Sequence, residues 1–110
     1  MSENSITLLQ GTLDLLILRT LLSSPMHGHG ITKAIQRSSA EMVHVEHGSL
    51  YPALHRLEKR GWVSAEWKET AKGRPMKFYA LTAGGRDQLA VEQTKWEQLA
   101  LAIGLVLRQA

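Results

Sequence analysis

Residues 47–62 read HGSLYPALHRLEKRGW, a helical pattern broken by a glycine and a proline near its start and closed by a glycine near its end. With Leu50 at zero on a wheel of about 100° per residue, Leu54 and Leu57 fall within about 40° of it and form a stripe for burial. Tyr51, Pro52, His55, Arg56 and Lys59 fall on the opposite side, between about 100° and 240°. The spacing predicts a helix from about Ser49 to Arg60, entered sharply through Gly48, capped by Ser49 and stopped by Gly61. Pro52 is tolerable there if it sits in the first turn, where its missing N–H has no intrahelical partner to lose. A first turn that exposes hydroxyls, a ring nitrogen and two cations suits the major groove of DNA, where phosphates call for cations and base edges for donors and acceptors. A solvated face with no ligand would show the same arginine and lysine, so the neighbouring segments decide between the two readings.

Downstream, WVSAEWK (62–68) and PMKFYAL (75–81) are rich in aromatic and β-branched residues and flank the tip ETAKGR (69–74), which predicts a hairpin. Lys68, Lys72, Arg74 and Lys77 gather around Gly73 and Pro75, placing cations where a loop reaches phosphates or a minor groove. Upstream, ITKAIQRSSA (31–40) reads as a short helix with Ile31, Ala34 and Ile35 on one face, EMVHVEHG (41–48) as an extended connection, and SSPMHGHG (23–30) as a turn. Residues 6–22, ITLLQGTLDLLILRTLL, carry leucine or isoleucine around nearly the whole circumference of a helix, with Asp14 and Arg19 as the only charges. Such a helix needs cover on more than one side, which in so short a chain points to a second subunit. A last helix starts at the N-cap Thr82 and runs toward Leu107; Leu89, Trp96, Leu99, Ile103 and Val106 form the seam of a helix pair.

The expected architecture is mainly α with a small β-hairpin: a winged helix-turn-helix over residues 1–81 and a dimerisation helix over 82–110. The dimer interface is expected at Leu9, Leu13, Leu16, Leu89, Trp96, Leu99, Ile103 and Val106. With 110 residues the chain is one small unit, and 44% hydrophobic and 21% charged residues match an ordinary globular protein. A net charge of +3 is compatible with a polyanionic partner. The absence of cysteine excludes disulfides and thiolate metal sites. Neither a signal-peptide pattern nor an apolar run of about 18 residues is visible, which leads to the expectation of a cytoplasmic protein without a membrane partner.

The motifs PMHGHGI, GSLYPALHRLEKRGW, GRPMKFYALTAGGR and AIGLVL, in this order, resemble the PadR family of bacterial transcriptional regulators. The resemblance runs from about Leu9 to the end of the chain. It implies a winged helix-turn-helix, a homodimer built from the first and last helices, binding to double-stranded operator DNA, and repression relieved by a small ligand. It further implies that Ser49, Tyr51 and Pro52 begin the recognition helix, that His55, Arg56 and Lys59 lie along its exposed face, and that Lys72, Arg74 and Lys77 are the cations of the wing. An aromatic residue such as Trp96 is implied as a stacking platform for a flat aromatic effector between subunits. Filling the dimer core is the plainer role for the same side chain. One departure is Gly28-His29-Gly30 where the family often has Gly-Tyr-Gly, which keeps a planar ring and loses the phenol.

Two other classes compete. His27, His29, His44 and His47 could gather around zinc, although their spacing matches no strong zinc motif. A winged helix could also bind only another protein, since one scaffold serves several functions. No phosphate-binding glycine loop, nucleophile elbow or carboxylate pair is present, so neither an enzyme nor a cofactor is expected.

Overall fold

A computed structural model describes residues 10–109. Its elements are α1 (Gln10–Leu21), β1 (Met26–His27), α2 (Gly28–Ser38), α3 (His47–Lys59), β2 (Val63–Glu69), β3 (Pro75–Leu81) and α4 (Ala83–Leu107). The mainly helical class and the hairpin agree with the sequence reading, and the hairpin gains a third strand. The sheet order is β1-β3-β2, all antiparallel, with Met26 opposite Tyr79 and His27 opposite Phe78.

The core forms where α1 lies against α2, α3, α4 and β3. Ile17, Leu18, Ile31, Leu50, Leu54, Leu57 and Val63 are almost wholly buried there. The leucine stripe of α3 is therefore the inner face that the wheel predicted, with Ala53 joining it. Truncation of one such leucine to alanine in a core costs about 2–5 kcal/mol, so this stripe holds a large share of a small protein's stability.

Helix α1 finds more cover within its own chain than its all-round apolar pattern suggested. Leu13, expected at a subunit interface, is buried in the chain's own core, and so is Leu89 of α4. Leu15 and Leu16 are half-buried at its edge. Leu9 lies outside the described residues. The core thus extends past residue 81 into the first turns of α4.

The start of α3 also differs from the expectation. The helix begins at His47, its N-cap is Glu46 with no side-chain cap, and the amides of Ser49 and Leu50 both donate to the Glu46 carbonyl at 3.0 Å. Ser49 is thus inside the helix and caps nothing. Gly48 is inside it too, without a left-handed φ. Pro52 falls in the second turn, where its missing N–H leaves the Gly48 carbonyl without its usual donor; Gly48 is exposed to solvent. The other end follows the sequence. Gly61 has φ +78, its amide donates to the Glu58 carbonyl, and the Trp62 amide donates to the Leu57 carbonyl, both at 3.0 Å. This is a Schellman stop, whose left-handed residue favours glycine.

Local caps fix the remaining joints. His27 ends β1 and caps α2, its Nδ1 accepting from the Gly30 amide at 3.0 Å. Thr82 Oγ1 accepts from the Gly85 amide at 3.0 Å and donates to the Gly61 carbonyl at 2.7 Å, tying the start of α4 to the end of α3. Between α2 and α3, Ala40 (φ 53) and Glu41 (φ 67) are both left-handed without being glycine. Hydrogen bonds from the Glu41 amide to the Gln36 carbonyl (2.8 Å) and from the Val43 amide to Ser39 Oγ (3.0 Å) hold this turn. Val43 beyond it is buried in the core, and the packing offsets the backbone strain.

Candidate nucleic-acid interface

Helix α3 presents Ser49, Tyr51, Pro52, His55 and Lys59 to solvent while its leucines face inward. Tyr51 is not a free side chain. Its ring meets His47 edge-on at 5.8 Å, and its phenol lies over Gly28, where an added Cβ would come within 2.5 Å of the hydroxyl oxygen. A side chain at Gly28 would have to displace the half-exposed Tyr51 ring, which α3 leans onto the start of α2.

The other predicted cations divide into free and committed ones. Lys72 and Arg74 are exposed at the wing tip. The tip is closed by the Thr70 hydroxyl and amide, which donate to the Arg74 carbonyl at 2.9 and 3.2 Å, and by Gly73 at φ +75. Lys59, Lys72 and Arg74 make no ion pair among the described residues. Lys77 is paired within the chain: its Nζ lies 3.6 Å from Glu58 Oε1 and 5.6 Å from the Tyr79 ring centre, a part-exposed contact between the wing and α3. Burial pushes the Tyr79 phenol above its ordinary pKa, with the charge of Glu58 and the neighbouring Tyr51 adding to the rise. It therefore stays neutral at physiological pH. Lys68 stands over Phe78 at 5.6 Å.

Arg56 departs furthest from its expected place. Instead of projecting from the exposed face, it turns toward α1, where its Nη2 donates to Asp14 Oδ1 at 2.9 Å, and its Nε is buried without a hydrogen-bond partner. Asp14 was visible in the sequence as an acid inside an apolar helix. Such a charge calls for a partner, and a helical wheel of α3 alone could not name it.

The four histidines of the zinc reading do not converge. His27 uses Nδ1 to cap α2, His29 is stacked on it with ring centres 6.4 Å apart, and His47 stands against Tyr51. Among the described residues no three His, Asp or Glu side chains form a metal-holding group.

On α4, Trp96, Leu99, Ile103 and Val106 are exposed as the seam reading required. Leu101, Leu105 and Leu107 are exposed as well, so the apolar surface continues around the helix beyond that seam. A groove of about 270 Å³ separates α1 from α4, lined by Gly11, Thr12, Leu15, Glu92, Lys95, Trp96 and Leu99. No helix among the described residues is long and apolar enough to cross a membrane.

A helix with an outward-facing start, steadied by α1 and α2 and flanked by a β-hairpin wing, defines the winged helix-turn-helix class of regulators. The chain belongs to the transcriptional regulator PadR-like family, whose model matches residues 17–91. It is a transcriptional regulator and not an enzyme. It is similar to transcriptional regulator Rv3488 of Mycobacterium tuberculosis, with 34% identity over 84 residues covering 76% of this chain and 75% of that protein. Among solved structures it resembles a transcriptional regulator from Clostridium thermocellum, with a TM-score of 0.79, 27% identity and coverage of 86% of this chain and 92% of that one. A PadR family regulator from Eggerthella lenta likewise aligns with a TM-score of 0.79, 29% identity and coverage of 92% of this chain and 86% of that one.

The contact between Tyr51 and Gly28 has a measurable consequence. Gly28→Ala should displace the Tyr51 ring at a cost of about 1 kcal/mol or less, and that loss should disappear in a Tyr51→Ala background, as chemical denaturation of the double-mutant cycle will show. Equal losses in both backgrounds would mean that the two residues do not press on each other.

Proposed function

We propose that this regulator is a repressor that binds an inverted-repeat operator as a homodimer in the cytoplasm, and that a small flat aromatic ligand releases it. Residues 1–81 serve as the DNA-binding part and 82–110 as the dimerisation helix. The observation that carries the reading is the division of the exposed groups in a PadR-family chain. Ser49, Tyr51 and His55 line an uncovered helix start, and Lys72 and Arg74 occupy the tip of a wing in contact with the same helix. In this reading Tyr51 and His55 discriminate bases, each good contact being worth about 1–3 kcal/mol, while Lys59, Lys72 and Arg74 neutralise phosphates and release counterions.

The homodimer is supported by α4, whose second half is apolar around most of its circumference and uncovered in one chain. A two-fold dimer reads two half-sites about one helical turn apart. Trp96, half exposed beside the groove between α1 and α4, is the candidate platform for the ligand. A flat compound stacked there would favour one subunit spacing over another.

Titration of DNA from upstream of its own gene across a range of salt concentrations tests the assignment. Arg74→Ala should weaken binding to every sequence and reduce the slope of log K against log salt by about one. Tyr51→Ala or His55→Ala should instead narrow the gap between preferred and unrelated DNA. An Arg74→Ala protein with unchanged affinity and slope would remove the wing from the interface.

Light scattering at micromolar concentration should show a particle of two chains, and a folded, soluble single chain would refute the dimer.

A further inference from the structure

We infer that Arg56 is a positioning residue rather than a DNA contact, and that its ion pair with Asp14 sets the rotation of helix α3 on helix α1. This inference rests on the DNA-binding reading of α3 and deepens it. The leucine stripe fixes which face of α3 is buried, but the hydrophobic effect behind it is non-directional. A charged hydrogen bond is directional. Arg56 Nη2 meets Asp14 Oδ1 at 2.9 Å across 42 positions of sequence, so the bond joins two separate elements away from the axis of α3 and selects one rotation.

Burial argues against a second role at the phosphate backbone. The side chain of Asp14 is 16% exposed and that of Arg56 is 29% exposed, and the Arg56 Nε is buried without a partner. Turning the guanidinium out to a phosphate would leave the largely covered Asp14 carboxylate without its partner. Lys59, one turn further along α3, already provides an exposed cation at no such cost. Apolar side chains of similar size would serve burial as well as this ion pair does. Its retention here fits a role in fixing orientation.

The two roles give opposite signs for Asp14→Asn. If Arg56 reaches DNA, removing the neighbouring negative charge frees the guanidinium and tightens binding to all duplexes. If Arg56 positions α3, the same change weakens binding to the preferred site by about tenfold while affinity for unrelated duplex and the salt slope stay as in the wild type.

The Asp14→Leu/Arg56→Met double variant guards against a folding artefact. It should melt at or above the wild-type temperature and still lose discrimination between preferred and unrelated DNA. A purely structural role predicts that discrimination survives wherever stability does.

A third measurement needs no DNA. In the free Asp14→Asn protein, hydrogen exchange at the amides of Leu54–Leu57 should accelerate about tenfold while the β2–β3 amides are unchanged. The inference is overturned if Asp14→Asn tightens binding generally, if the double variant discriminates like the wild type, or if α3 exchange does not move. Should the wild type select no DNA from its own genome, the DNA-binding reading fails by itself, and exchange in α3 decides whether the pair positions the helix.

Discussion

Helix α1 bears apolar side chains around most of its circumference, and the rest of the structure is arranged to keep water away from them. Ile17, Leu18 and Leu21 are almost fully buried, and α2, α3, α4 and β3 all pack against this helix. At roughly 25 cal/mol for each Å² of apolar surface removed from water, a central helix of this kind is the natural organiser of a small core. Its position also makes α1 the common neighbour of α3 and α4. Asp14 reaches Arg56 on α3, while Gly11, Thr12 and Leu15 line the groove toward Trp96 and Leu99 on α4. A change in how α4 sits has a short physical route to α3 through this one helix.

Most lysines and arginines are exposed, but acidic residues offset them to a net charge of +3, which provides modest attraction to a polyanion. In the proposed DNA-binding role, geometry therefore supplies much of the selectivity. Several devices set the attitude of α3: the Schellman stop at Gly61, the contact of Tyr51 with Gly28, the contact of Lys77 with Glu58, and the pair of Arg56 with Asp14. Of the cations proposed for DNA, Arg56 and Lys77 are paired with acids within the chain, whereas Lys59, Lys72 and Arg74 make no ion pair among the described residues.

Much of the fold was legible because its signals are local. The leucine period of α3, the stop at Gly61, the cap at Thr82 and the β-branched runs of the hairpin each act within a few residues, and each appears in the structure. What escaped depends on distant partners. Strand β1 has only two residues, too few for an alternating pattern, and exists because Tyr79 and Phe78 lie opposite it. The start of α3 is the exception, a local miss: Ser49, read as the cap, lies inside the first turn with its amide bonded to the carbonyl of the N-cap Glu46, which has no side-chain cap of its own. Leu13 and Leu89 read as interface residues because a sequence shows that an apolar face needs cover without showing whether the cover belongs to the same chain. The wheel of α3 placed Arg56 correctly opposite the leucines in angle, and only the position of α1 explains why its long side chain bends back to Asp14.

Mapping amide chemical shifts of the intact protein as DNA from upstream of its own gene is added tests the central claim most directly. The account predicts saturable changes concentrated in Gly48–His55 at the start of α3 and in Lys72–Arg74 at the wing tip, with smaller, linked changes along α1 at Asp14. Changes confined to the exposed apolar half of α4, with the α3 start and wing tip unmoved, would contradict it and assign this winged helix to a different partner surface.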